Sequence, residues 1–385
     1  MGFHFVPTHP TLLHYYITLF IRFPFLGSLK MLEKIKFEKF TAFDRLEIPL
    51  STGINIFIGA NGTGKTHILK AVYATCDVAK SQKSLAEKTN RVFLPSCDQI
   101  SRLVKRARGS RTGYFEVTRR VADRDKSLTI RLSLTNHTKE PEKATLSGAY
   151  KQWLQYSLES VYIPVKDMMA NAPGFRSLYN LRSRFEFFEE NSNLEPIHFE
   201  EVYADIIDRV FLGTLRCTTR QKKLLDILQR AMNGKIISKN EEFFLKNKQG
   251  ELEFTLLAEG IRKLGLLWVL IQNGTLLNGS ILCWDEPEAN LNPKLMRTVV
   301  EILLELQRIG VQILLTTHDY VVLKEFDLQA KNTDKVIFHS LYRNTSEIEI
   351  ASTNNYLNIS PNVIDDSFGS IVDREIKKSM TNLGK

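Results

Sequence analysis

The stretch Gly59-Ala60-Asn61-Gly62-Thr63-Gly64-Lys65-Thr66 decides the fold. It matches GxxxxGK[ST] in full, and it stands between a strand-like run in which Ile54, Ile56 and Ile58 alternate and a segment, His67 to Ala79, with Leu69, Val72 and Tyr73 at helical spacing. Glycines in such a loop let backbone N–H groups close around phosphate oxygens, and the start of the following helix adds a favourable dipole. Gly59, Ala60, Asn61, Gly62, Thr63, Gly64, Lys65 and Thr66 are therefore the candidate nucleotide-binding residues. Lys65 would reach the β- and γ-phosphates and the Thr66 hydroxyl would bind Mg2+, so ATP and Mg2+ are the implied ligands.

Two later segments supply the chemistry such a loop needs. Ile281-Leu282-Cys283-Trp284-Asp285-Glu286-Pro287 is a hydrophobic strand ending in two adjacent acids. Side chains alternate along a strand, so the two acids take different roles: Asp285 on the metal, Glu286 on the attacking water. An isolated acid pair would more simply be a solvated turn; the intact phosphate loop upstream favours catalysis. Ile313-Leu314-Leu315-Thr316-Thr317-His318-Asp319 then sets His318 just past the next strand, where it would contact the γ-phosphate.

The order of elements around these motifs predicts an α/β fold, a mainly parallel sheet flanked by helices with an antiparallel β layer beside it. Residues 31–150 form the first part of the core, with the phosphate loop and the antiparallel layer (Tyr114 to Val117 and Leu128 to Leu134). Residues 151–234 read as an inserted helical subdomain, broken at Ala172-Pro173-Gly174. Residues 235–351 return to the core through a hairpin near Asn247 to Gly250, a helix from Gly260 to Asn273, the acidic strand, a helix from Pro293 to Arg308 and the strand before His318. Residues 352–385 are a tail, polar at first and then helical in pattern.

With 385 residues, 43% of them hydrophobic, the chain buries a core without staples; Cys76, Cys97, Cys217 and Cys283 form no CxxC or zinc-ligand pattern, which suits a reducing cytoplasm. The formal charge of +9 favours polyanionic partners, as does the stretch Arg102 to Arg120 with Lys105, Arg106, Arg108, Arg111 and Arg119, although a solvated basic face would look the same. Residues 1–30 are apolar, but His14, Arg22 and Pro24 interrupt any membrane span; an upstream extension outside the core fits better than an anchor or signal, and no membrane association is expected.

In order, GANGTGKT, LLAEGIRKLG, ILCWDEPEANLNP and ILLTTHD resemble the ABC-type ATPase superfamily over most of Met31 to Asp319. The resemblance implies ATP hydrolysis and a homodimer or higher oligomer with ATP in the interface. It puts Glu259 and Gly260 in the signature motif, Ala289-Asn290-Leu291 in the loop after the catalytic acid, and His318 as the switch histidine. Catalysis would then rest on Lys65, Glu286 and His318, with Thr66 and Asp285 on the metal. The usual LSGGQ is altered: Ala258 stands for the serine and Glu259 for the first glycine, leaving Gly260, Arg262 or Lys263 to offer contacts to the second copy's nucleotide. A Q-loop is expected at a strand end, Val92-Phe93-Leu94-Pro95, near Gln99.

The long interval between Lys65 and Asp285 disfavours a transporter subunit, and the segment SVYIPVKDMMANAPGF (160–175) is similar to OLD-like and SMC-like bacterial ATPases. Relatives of that type act in anti-phage defence, as in the PARIS and Septu systems with a separate nuclease, or in DNA repair. Nothing like the fused TOPRIM nuclease of OLD proteins follows His318. Two readings stay open: a switch ATPase governing a separate effector nuclease, and a RecF-like repair ATPase acting directly on DNA.

Overall fold

A computed structural model describes residues 31–383 apart from 82, 122–125, 157, 173, 176–198 and 346. The expected extension at residues 1–30 lies outside the described residues.

The central sheet is built from runs buried on both faces, as a parallel sheet between helices requires. Its six strands are β3 (Ile54–Gly59), β7 (Ser160–Ile163), β11 (Ile281–Asp285), β12 (Gln312–Thr316), β13 (Val336–Asn344) and β14 (Glu347–Thr353), ordered β14-β13-β3-β12-β11-β7. All neighbours run parallel except β14, which pairs antiparallel to β13. Strand periodicity divides the core in two. Ile54, Ile56, Ile58, Leu282, Trp284, Ile313 and Leu315 face one cluster, while Phe57, Ile281, Cys283 and Leu314 face the other.

The second cluster is closed by α1 (Lys65–Asp77) and by a five-stranded antiparallel sheet, β1 (Met31–Phe40), β2 (Phe43–Pro49), β4 (Thr112–Val121), β5 (Lys126–Thr135) and β6 (Thr145–Gly148), ordered β2-β1-β4-β5-β6. The first is covered by α4 (Glu201–Val210), α5 (Thr219–Met232), α6 (Glu259–Gln272) and α7 (Pro293–Arg308). A small antiparallel sheet, β8 (Lys235–Lys239), β9 (Glu242–Asn247) and β10 (Gly250–Glu253), leads into α6, with the expected hairpin turn between β9 and β10.

Two sequence expectations change here. The segment read as a helical insertion gives β7 to the main sheet, where all four of its residues are buried against β11; the insertion reading took a short buried strand for part of a helical run. Val92 and Phe93 end a helix, α2 (Leu85–Phe93), and no strand lies there. The Ser84 hydroxyl caps the Glu87 N–H and the Glu87 carboxylate caps the Ser84 N–H, a capping box that starts the helix. The tail, expected to be helical after a polar start, contains the end of β14 and a 21-residue helix, α9 (Val363–Leu383). Among the described residues no helix is long and apolar enough to cross a membrane.

Candidate nucleotide-binding site

The parallel register brings the carboxyl ends of β3, β11 and β12 to one edge, where ligands of open α/β sheets bind. The phosphate loop leaves β3 there. Gly59 has φ 142°, and a Cβ on it would stand 2.2 Å from the Leu341 carbonyl oxygen; Gly64 has φ 87°, and its Cβ would meet the Phe43 ring at 2.5 Å. Both positions thus exclude larger residues, and the antiparallel layer, through Phe43, fixes the loop's back wall. Lys65 is buried, its Nζ donating to the Gly59 (2.7 Å) and Ala60 (3.2 Å) carbonyls across the loop. Burial lowers the pKa of its ammonium, against the opposing pull of Glu286 and Asp285.

Asp285 faces Thr316 across the β11–β12 pair. Its Oδ1 accepts from Thr316 Oγ1 at 2.5 Å and from Thr66 Oγ1 at 3.2 Å, and its Oδ2 accepts from the Tyr162 hydroxyl at 3.1 Å. The neighbouring Glu286 turns away, with φ 48° in the left-handed region and its N–H on Thr316 Oγ1. His318 Nδ1 comes within 3.3 Å of Glu286 Oε1. Behind it, buried Glu288 Oε1 accepts from Thr317 Oγ1 (2.8 Å) and from the His318 N–H (3.0 Å). Burial raises the Glu288 pKa, opposed by these N–H and hydroxyl donors. The loop, Asp285, Glu286 and His318, expected from separate segments, therefore meet at one edge.

Tyr162, Thr316 and Glu288 were not singled out from sequence. Glu288 sits two residues after Glu286 and Thr316 two before His318, so proximity in the chain was an available signal; Tyr162 offered none.

Glu259 and Gly260 open α6, whose N-cap Ala258 supplies no side-chain acceptor. Glu259 accepts from Asn290 Nδ2 at 2.8 Å, and a Cβ on Gly260 would stand 2.9 Å from Leu291, so the helix start packs closely on the loop after the acidic strand. Arg262 and Lys263 are turned inward. Lys263 is buried with Nζ on the Ala289 carbonyl at 2.5 Å, and Arg262 bonds the Leu257 carbonyl and pairs with Asp167. Their expected role toward a second copy is not supported, because both heads are engaged within the chain. The basic stretch divides likewise. Arg106 and Arg108 are exposed on the loop before β4, Lys105 pairs with Asp44, and Arg119 is fully buried with its guanidinium 4.0 Å over the Trp153 ring.

Away from the loop, α1 is tied down by a buried ionic cluster. Lys88 Nζ contacts Asp77 Oδ2 (2.6 Å), Glu201 Oε1 (2.8 Å) and Asp205 Oδ2 (2.6 Å). Arg209 reaches Asp77 Oδ1 at 2.5 Å, and the Tyr73 hydroxyl donates to Asp205 Oδ2 at 2.7 Å. Burial works against the Lys88 charge, but the three carboxylates raise its pKa overall.

These residues fit a Mg-nucleotide. The first turn of α1 carries no acidic residue and its N-cap Gly64 offers no side chain, so its N–H groups are free to meet phosphate. Thr66 Oγ1 and Asp285 Oδ1, 3.2 Å apart, suit two ligands of one small cation with metal–oxygen distances of about 2.0–2.1 Å. Among the described residues no group of three or more His, Cys, Asp or Glu is set to hold a metal, so the cation would depend on phosphate oxygens as well.

Comparison with known proteins agrees with this geometry. Residues 54–324 match the family model described as "AAA domain, putative AbiEii toxin, Type IV TA system". Short stretches are similar to DNA replication and repair protein RecF, 34% identical over 85 residues in Cytophaga hutchinsonii and 41% over 54 residues in Photorhabdus laumondii subsp. laumondii. The first covers 22% of this chain and 19% of the relative, so the chain spans about a fifth of that relative's length. In fold, the chain resembles an SMC head bound to the C-winged helix domain of ScpA (TM-score 0.55, 15% identity, 84% of this chain and 97% of that one). It also resembles the Smc head domain with a coiled coil and joint of Pyrococcus yayanosii (TM-score 0.54, 10% identity, 88% and 99%). The fold is that of an SMC head domain.

Proposed function

The chain belongs to the AAA domain family that it matches over residues 54–324, and we propose that it is an ATP-hydrolysing switch, two copies of which meet head to tail around Mg-ATP and govern a separate effector nuclease in anti-phage defence. The observation that carries the reading is the convergence of Thr66, Asp285, Glu286 and His318 at one sheet edge.

In this reading the loop N–H groups and Lys65 would hold the phosphates, and Thr66 and Asp285 would hold Mg2+. Mg2+, when bound there, would supply neutralisation of phosphate charge. Glu286 accepts the proton of the attacking water, and His318, aligned by Glu288, supports Glu286 and meets the γ-phosphate. The uncapped start of α6, with Glu259 and Gly260, faces the nucleotide of the second copy, where its N–H groups replace the missing serine hydroxyl. The family's description names a putative toxin of a type IV TA system.

The test is affinity capture of a tagged Glu286→Gln variant from its host with Mg-ATP. Recovery of a distinct nuclease in fixed ratio supports the switch. A second reading, a RecF-like repair ATPase, is favoured by the local RecF similarity and by exposed Arg106 and Arg108. Recovery of DNA without a protein partner, with DNA-stimulated turnover, selects that reading and overturns the first.

A further inference from the structure

His318 is followed at once by α8 (Tyr320–Gln329), a ten-residue helix that starts on the Asp319 cap, where Oδ1 accepts from the Val322 N–H at 2.9 Å. The Asp319 N–H donates to Thr317 Oγ1 at 3.1 Å, and Thr317 is itself tied to Glu288 through its hydroxyl and to the Phe57 carbonyl through its N–H at 3.0 Å. The backbone around the histidine is therefore continuous with the first turn of α8. A helix this short is marginal by itself and takes its place from what it packs against. Val322, Leu323 and Phe326 bury its inner face.

The outer face is held by the last helix. In the first two turns of α9, Ile364 is buried, Asp365 accepts from the Tyr356 hydroxyl at 2.7 Å, and the Phe368 ring lies flat on the Tyr320 ring, with centroids 4.2 Å apart and planes 2° from parallel. Tyr356 closes the same contact one turn along α8, where Lys324 Nζ stands 4.4 Å from its ring centre. From Gly369 to Thr381 every residue is exposed, so this clamp is confined to the base of α9. We propose that Tyr320 and Phe368 are positioning residues for His318: their stacked rings hold the start of α8, and with it the histidine, at its 3.3 Å separation from Glu286. The kinetic consequence rests on the ATP-hydrolysis reading, whereas the clamp is present without nucleotide.

Hydrogen exchange of the full chain without nucleotide, read over Thr317 to Leu323, tests the clamp. Phe368 is 45% exposed, so Phe368→Ala opens no buried cavity. The variant is expected to speed exchange there by about two- to tenfold, the worth of one aromatic pair, with β12 exchanging as in the parent. At saturating ATP its kcat should fall by about the same factor with KM unchanged. Phe368→Tyr, which keeps the flat ring, should restore both, and Ile376→Ala, farther out on α9, should alter neither. Unchanged exchange in Phe368→Ala overturns the clamp, and faster exchange with unchanged kcat overturns the positioning role. A parent that hydrolyses no ATP removes the hydrolysis reading and the kinetic role with it, while the exchange result still decides the clamp.

Discussion

His318 Nδ1 stands 3.3 Å from Glu286 Oε1, while the backbone N–H of the same histidine is held by Glu288 Oε1 at 3.0 Å. The histidine is thus fixed from behind and free to act in front. Glu286→Gln is expected to cut phosphate release by about 10² to 10⁴-fold and His318→Ala by a smaller factor, with binding of a fluorescent ATP analogue kept in both. Full turnover in Glu286→Gln would remove the assigned base.

Glu288 acts through His318. Glu288→Ala leaves the Thr317 hydroxyl and the His318 N–H without their acceptor, which should cost about 1–3 kcal/mol of stability and lower kcat with little change in KM for ATP. Glu288→Gln keeps an acceptor oxygen and should recover most of both. A stability loss without any kcat effect would reduce Glu288 to a structural residue.

Tyr162 holds the oxygen of Asp285 that Thr66 and Thr316 do not. Tyr162→Phe should raise the Mg2+ concentration for half-maximal turnover several-fold while ATP binding without Mg2+ stays as it was. An unchanged Mg2+ titration would show that the hydroxyl does not orient the carboxylate.

Lys88 sits among Asp77, Glu201 and Asp205 at the far end of α1. Lys88→Met removes the cation shared by three carboxylates, leaving Asp77 to Arg209, Glu201 to Lys83 and Asp205 to the Tyr73 hydroxyl, and should cost up to about 3–5 kcal/mol, visible as a drop in melting temperature. A variant that melts like the parent would mean that water or rearranged partners reach the cluster.

Two histidines, His339 buried and His67 half-buried, give a pH dependence of stability. Desolvation lowers the pKa of His67 from 6.5 to about 4, with Lys70 adding to it, and that of His339 to about 3. Between those values and 6.5 the unfolded chain binds protons that the folded chain does not, so each contributes stability that is complete above 6.5 and is lost as pH falls, by up to about 1.4 kcal/mol per pH unit. Denaturant midpoints measured from pH 7 to 4 should fall less steeply in His67→Phe than in the parent; equal slopes would contradict the assignment.

What the sequence disclosed was what lies close along the chain. The phosphate loop between Ile54–Ile58 and Leu69, the acid pair after Ile281, and His318 after Ile313 each carry motif and flank within sixteen residues, and their order pointed to the parallel-sheet core. The Tyr162 contact with Asp285 and the Lys88 cluster join residues more than a hundred positions apart, which local pattern does not encode. Strand β13 escaped because buried His339 and Ser340 interrupt its apolar run. The misread segment at Val92 held its own correction, since Ser84 and Glu87 stand at capping-box spacing.

Glu286 carries the left-handed backbone that glycine tolerates and other L-residues resist, a conformation costing on the order of 1–3 kcal/mol outside glycine. If Glu286 is the base of the proposed hydrolysis, the ruggedness of this protein and its ability to work are in opposition at one residue. A Glu286→Gly chain should unfold at a higher temperature than its parent while turning over no ATP, so selection for heat resistance alone would steer this lineage toward silence.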